Sequence, residues 1–354
     1  MFDSANERSR RGGNGAGGRC VTAVLALATA APPALAQASL EEIVVTAERR
    51  ETGLQDTPIA VTAFTADALE NKRIDDIAEI AQFTPNLVFD TTSPVSGLSS
   101  GAVVFLRGIG NTDFSLTTDP GVGTYVDGVY MSRSAGGVLD VLDVERIEVL
   151  RGPQGTLFGR NTIGGAINIT SRRPGDELGG SLTATVGNFS RADLRAVVDV
   201  PVSDTLRTTL ALSRKTRDGF VDRVLVGDEL GDEDRLSLRA AAVFEPTESL
   251  SFEVSYDYST IDEQSAGSTL VAFTPGASTI GYDLFRAAFD PTAPELGQFI
   301  GNPEDDRSFA TGPTGTNLDV SGLSFSASYD AASWSLKYTG AYRETDGSFN
   351  RDPD

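Results

Sequence analysis

The run VERIEVLRGPQGTLFGRNTIGGAINITS, residues 144–171, reads as two β-prone segments, VERIEVL (144–150) and GAINITS (165–171), joined by a glycine-rich stretch. That stretch, 152–165, is not a phosphate-binding loop. It lacks the G-x-x-x-x-G-K-[ST] spacing, and Arg160-Asn161 stand where a lysine and a hydroxyl residue would be needed. Its glycines instead suit tight turns and close approach of one backbone to another. Working outward, short strand and helix patterns alternate upstream: IAVTAF (59–64), a helix near 66–72, another near 75–82, then LVFD (87–90), AVVFLRG (102–108) and GVGTYVDG (121–128). Such alternation, punctuated by glycine turns, predicts an α+β domain over residues 56–174.

From about residue 178 the period changes to two. Leu182, Ala184 and Val186 alternate with Thr183 and Thr185, and Leu236, Leu238, Ala240, Ala242 and Phe244 oppose Ser237 and Arg239. Phe252, Val254, Tyr256 and Tyr258 alternate with Glu253, Ser255 and Asp257. Leu323, Phe325, Ala327 and Tyr329 alternate with Ser324, Ser326 and Ser328. With the patterns around Leu194–Val200, Leu206–Leu212 and Trp334–Tyr342, seven amphipathic strands are expected in residues 175–354. A soluble sandwich would show the same period. Strand length favours a membrane barrel, as do aromatics near strand ends (Phe189, Phe244, Tyr258, Tyr329, Trp334, Tyr342) and connections that alternate between short (202–205, 246–249, 330–333) and long (217–232, 260–317). The expected fold is therefore an α+β domain followed by antiparallel transmembrane β-barrel strands, with seven too few to close the barrel and Asp354 on the outer face.

The N-terminus carries a basic leader (Arg8, Arg10, Arg11, Arg19), an apolar run from Cys20 to Ala31 and small-residue cleavage sites at Ala34-Leu35-Ala36 or Ala36-Gln37-Ala38. That order predicts an export signal over 1–38. Cys20 is the single cysteine, so disulfide chemistry is excluded from the mature chain. No later stretch approaches the roughly 18–20 consecutive apolar residues of a membrane helix. The chain has 29 basic and 50 acidic residues and no histidine. The first fact argues against nucleic acid as a partner; the second excludes Ser-His-Asp and His-ligated zinc catalysis. An acidic group at Asp228, Glu229, Asp232, Glu233 and Asp234 lacks EF-hand order and reads as a solvated loop. No catalytic residue, cofactor or metal is expected.

Between leader and plug, residues 39–55 are polar except for Ile43-Val44-Val45-Thr46-Ala47. Such a β-branched stretch reads as a free strand able to add to another protein's sheet edge, the alternative being an ordinary first strand of the plug. Taken with Asp56-Thr57-Pro58, Phe105-Leu106-Arg107-Gly108, Tyr125-Val126-Asp127-Gly128-Val129 and the run from Val144 to Arg172-Arg173-Pro174, it resembles the TonB box and plug of TonB-dependent outer-membrane receptors. The resemblance covers residues 42–174; the barrel segment adds only compatible patterning.

The resemblance implies a non-enzymatic transporter in the cell outer membrane, with a barrel of about 22 strands closed by the plug. TonB, energised by ExbB/ExbD, would grip Glu42, Ile43, Val44, Val45, Thr46 and Ala47. Arg107 and Arg151 match plug arginines that pair with acidic residues of the barrel wall. The implied cargo is a scarce bulky solute, a ferric siderophore first, with vitamin B12 or a carbohydrate behind it. The rival readings are a non-functional fragment of such a receptor, a passive porin and a secreted β-sandwich enzyme. A porin is disfavoured because a plug would block it, and the enzyme by the missing histidine. The mature protein is expected to begin at Gln37 or Ser39, and mass spectrometry of the outer-membrane fraction checks this. A mature N-terminus still carrying Cys20 would refute the leader.

Overall fold

Period-two alternation gives the strand at 144–151 two different surfaces: Ile147 and Val149 point one way, Arg146, Glu148 and Leu150 the other. The plug is built around that duality. In the computed structural model, residues 44–46, 52–91, 99, 101–112, 118–132, 143–272, 292, 295–301 and 305–350 are described. The expected leader, together with Glu42, Ile43 and Ala47, lies outside the described residues.

The plug strands are β1 (Val44–Val45), β2 (Thr52–Gly53), β3 (Ala60–Thr65), β4 (Leu87–Asp90), β5 (Val103–Leu106), β6 (Ile109–Gly110), β7 (Val122–Val126), β8 (Val129–Met131), β9 (Val144–Arg151) and β10 (Gly165–Ser171). A five-stranded sheet has the order β3-β9-β10-β7-β8, with β10 antiparallel to β9 and parallel to β7. Its first face carries Phe64, Ile147, Val149, Ile167 and Ile169 and is covered by Leu69, Ile77, Ile80, Leu87 and Leu106. Its second face carries Tyr125, Leu150 and Ala166, covered by Val45 and Phe158. Each large aliphatic side chain buried in these clusters contributes about 1.5–3 kcal/mol.

Helix α1 (Ala66–Lys72) starts where the Thr65 hydroxyl accepts the N–H of Ala68 at 3.3 Å and stops at Arg73 in the left-handed region. The helix expected near 75–82 is instead a 3₁₀ helix, Ile77–Phe83. Glu79 reaches back to accept from the N–H groups of Asp75 and Asp76, which tightens the first turn, and Pro85 follows too soon for an α-helical ladder.

The wall strands are β11 (Gly179–Val186), β12 (Ala192–Ser203), β13 (Leu206–Arg217), β14 (Val221–Arg223), β15 (Glu229–Leu230), β16 (Glu233–Thr247), β17 (Leu250–Glu263), β18 (Arg307–Ser308), β19 (Gly315–Asp330) and β20 (Ser335–Asn350). Seven form one antiparallel sheet, β11-β12-β13-β16-β17-β19-β20, matching the seven strands read from the alternation. The sheet is not closed: among the described residues β11 and β20 each pair on one side only. One face is an apolar band that includes Leu182, Leu210, Phe244, Val254, Leu323 and Leu336, all exposed in the isolated chain. Such a band on a tall antiparallel sheet is what lipid contact requires.

At the long-loop end, β14, β15 and β18 form a small separate sheet. The buried Arg223 guanidinium ties it down by donating to the carbonyls of Ala310 and Gly312 and to Asp228. Asp228 is thus used structurally, as is Asp232, which accepts the N–H of Gln264.

Gly165 is a plug glycine on which the two-faced packing depends. Its φ is +149°, and a Cβ there would stand 2.2 Å from the Leu150 carbonyl oxygen and 2.4 Å from Leu106 Cδ2. Gly165→Ala is expected to destabilise the plug by about 3 kcal/mol, the size typical of backbone strain with overpacking. Limited proteolysis of the outer-membrane protein should then cut within 53–170 at lower protease; an unchanged threshold would contradict this packing.

Candidate functional site

Strand β9 brings Glu148 to the second face of the plug sheet, directly opposite Ala63 of β3 and Asn168 of β10. The carboxylate is fully buried. Its needs are met by the Nε of Arg146 at 2.9 Å, the Nδ2 of Asn168 at 3.3 Å and the backbone N–H of Thr46 at 2.7 Å. The Thr46 hydroxyl also donates to Glu148 at 3.2 Å and accepts from Asn168 at 3.1 Å. A carboxylate so placed supplies charge-assisted acceptors to an approaching backbone, while Arg146 balances its charge.

The approaching backbone is the segment singled out in sequence. Val44 and Val45 pair with Gly53 and Thr52, and Val45 is wholly buried among Tyr125, Leu150, Phe158 and Ala166. The pocket is shaped by the Tyr125 ring packed edge-on against Phe158, with its hydroxyl donating to the Phe158 carbonyl at 2.6 Å. Of the two readings of this segment, the structure shows the strand docked on the plug of its own chain. A β-branched side chain that could fill a partner's pocket fills one in its own chain, and Glu148 anchors the next residue. Of the six expected contact residues, Val44, Val45 and Thr46 are described. Thr46 also lines a cavity of about 1220 Å³ between plug and wall at the short-turn end, with Asp127, Arg146, Arg173, Glu248 and Lys337.

Arg107 and Arg151, the two expected plug–wall arginines, stand close together. Arg107 occupies a tight turn at φ +54° with Nη1 3.5 Å from where a Cβ on Gly152 would be. Arg151 ends β9 with its Nε buried and without a hydrogen-bond partner among the described residues. Neither makes an ion pair among the described residues.

Among the described residues, others make plug–wall contacts. Arg172 donates to Asp143 at 2.7 Å and to Asp199 of β12 at 3.0 Å, and the bond to Asp199 raises its pKa above the ordinary arginine value, so it stays charged. Arg173 engages Glu253 of β17 at 2.9 Å and Glu245 of β16 at 3.4 Å. From the wall, Arg235 reaches Asp76 at 3.6 Å, Arg239 reaches Asp127 at 3.5 Å, and the Lys215 ammonium donates to the Asp75 carbonyl at 3.3 Å. The only sequence signal for these was position: Arg172-Arg173 precede Pro174 at the domain boundary, and Arg235 and Arg239 lie on the polar phase of a strand.

Comparisons with known proteins agree with this architecture. Residues 53–166 match the TonB-dependent Receptor Plug Domain family. The ferrioxamine B receptor of Salmonella typhimurium is 28% identical over 166 residues, 46% of this chain and 22% of the relative. The vitamin B12 transporter of Vibrio cholerae is 27% identical over 197 residues, 54% of this chain and 30% of the relative. The crystal structure of the ferric yersiniabactin uptake receptor from Yersinia pestis superposes with a TM-score of 0.67 at 19% identity, over 83% of this chain and 42% of that one. The chain thus spans less than a third of the two curated relatives.

A plug packed against an antiparallel wall with an apolar outer face defines a plugged outer-membrane barrel. Residues 53–166 are a TonB-dependent receptor plug domain, and the chain resembles the N-terminal part of outer-membrane receptors of that family.

Removing the Glu148 carboxylate should free Thr46 and Val45. A hydrogen bond to a charged group contributes about 1.5–3 kcal/mol, so Glu148→Ala should raise the reactivity of Val45→Cys toward a soluble maleimide about tenfold or more. Equal labelling rates in the two backgrounds would mean that Glu148 does not hold the segment.

Proposed function

We propose that this chain carries the plug and part of the wall of a receptor that takes up a ferric siderophore by energy coupling to TonB, itself driven by ExbB/ExbD. The observation that carries the reading is the docking of Val44–Thr46. An extended, β-branched segment rests on a few exchangeable hydrogen bonds at the mouth of a cavity between plug and wall. Another protein's sheet edge can compete for such a segment, because strand addition offers the same main-chain bonds and pockets. Withdrawing it would uncover Val45 and loosen the second face of the plug sheet. Arg107 and Arg151 fit a second role, holding acidic side chains of other wall strands; an arginine with a buried idle N–H favours such a partner.

A siderophore is favoured because a ferrioxamine B receptor is among the relatives in sequence. The vitamin B12 transporter supports cobalamin as a second reading. The test is uptake against binding in cells expressing the complete receptor. Ile43→Pro, which removes a backbone donor and the extended fit, should abolish accumulation of a radio-iron siderophore while surface binding stays nearly unchanged. Deleting TonB should copy that phenotype. Equal loss of binding and uptake would make the segment a mere part of the plug core, and accumulation of labelled cobalamin but not iron would select the second substrate.

A further inference from the structure

One inner row of the wall sets charges side by side. Ala211, Arg239, Asp257, Gly322 and Arg343 lie directly opposite one another across β13, β16, β17, β19 and β20. Asp257 therefore has an arginine on either side: Arg239 on the adjacent strand, and Arg343 two strands away. It is paired with the distant one, through Nη1 at 2.8 Å and Nη2 at 2.6 Å. That bidentate pair crosses Gly322, where a Cβ would stand 2.3 Å from Arg343 Nη1 and 2.8 Å from Asp257 Oδ1. The absence of a side chain at 322 is what lets Arg343 reach.

The nearer arginine is engaged loosely. Arg239 Nη2 touches Asp127 of the plug at 3.5 Å, while its Nη1 is buried with no hydrogen-bond partner among the described residues. Asp127 itself is fixed to the plug, since its other oxygen accepts the N–H of Ser171 at 2.8 Å. Directly opposed residues on antiparallel strands have Cβ atoms about 5 Å apart, so Asp257 can pass from Arg343 to Arg239 by side-chain rotation, with no slip of the sheet.

We propose that Asp257 is an exchangeable counter-ion that sets how firmly the wall holds the plug. Paired with Arg343 across Gly322, it leaves Arg239 to hold Asp127; transferred to Arg239, it satisfies the idle Nη1 and draws the guanidinium away from the plug. This exchange rests on the plugged-receptor reading and adds to it a named set of residues that positions the plug.

A contact that merely strengthens the wall and an exchange predict opposite signs in a double variant. Arg343→Gln frees Asp257 to take Arg239, and Gly322→Ala does the same by blocking Arg343. In the complete receptor reconstituted in planar bilayers, each should raise the ion conductance through the loosened plug about tenfold, the effect of a coupling of ordinary allosteric size. Adding Asp257→Asn to either should return conductance to the parent value, because the competitor for Arg239 is gone. A double variant as leaky as the single, or single variants as tight as the parent, would overturn the exchange. A receptor lacking residues 42–174 supplies the reference. If it conducts freely while both single variants stay tight, the exchange alone fails; if it conducts no more than the parent, the plugged-receptor reading falls and the exchange with it.

Discussion

Hydrocarbon offers no hydrogen bonds, and this constraint shapes the wall. Every backbone N–H and C=O in a lipid-facing strand must be satisfied by a neighbouring strand, which makes a closed antiparallel sheet the only strand-based solution. The seven wall strands obey it internally through ladders from β11 to β20 that shift register only beside the turns after Pro201 and Phe244. Period two then forces a second consequence. If Leu210, Val254 and Leu323 face lipid, the residues between them face inward, and these include Lys215, Arg235, Arg239, Asp257 and Arg343.

Inward charges need partners, and the plug supplies several of them. Asp76 answers Arg235, Asp127 answers Arg239, and Arg172 and Arg173 answer Asp199, Glu245 and Glu253. Ion pairs of this kind, partly desolvated, contribute little net stability but penalise misplacement heavily. They seat the plug in one position through specific contacts, which a continuous apolar interface would not do.

The buried Glu148 applies the same logic inside the plug. An apolar residue there would have served the sheet equally well as packing. The carboxylate instead gives the second face a polar anchor that only an approaching backbone N–H completes, and Thr46 completes it. The docked strand is thereby held by specific bonds around one buried side chain, Val45, and so can leave without dismantling the first-face core of Ile147, Val149 and Ile167.

The sequence by itself determined the class of each segment, because period is a local property. The seven wall strands, their lipid-facing phase, the short and long connections and the plug motifs from Phe105-Leu106-Arg107-Gly108 to Arg172-Arg173-Pro174 were all legible there. The contact segment was legible as a strand, from its β-branched run, and Gly165 as a site of close approach. Which side chains meet was decided only by the tertiary structure. Val45 reads as free until Tyr125, Phe158 and Ala166, up to 121 residues away, are folded around it, and Thr46 finds Glu148 across 102 residues. Arg239 and Asp257 were visible as inward-facing, but their opposition depends on a register set by the turn at 248–249, and the reach of Arg343 depends on a glycine in the strand between. Local pattern fixes the face on which a residue lies; register and packing, summed over the whole sheet, choose its partner.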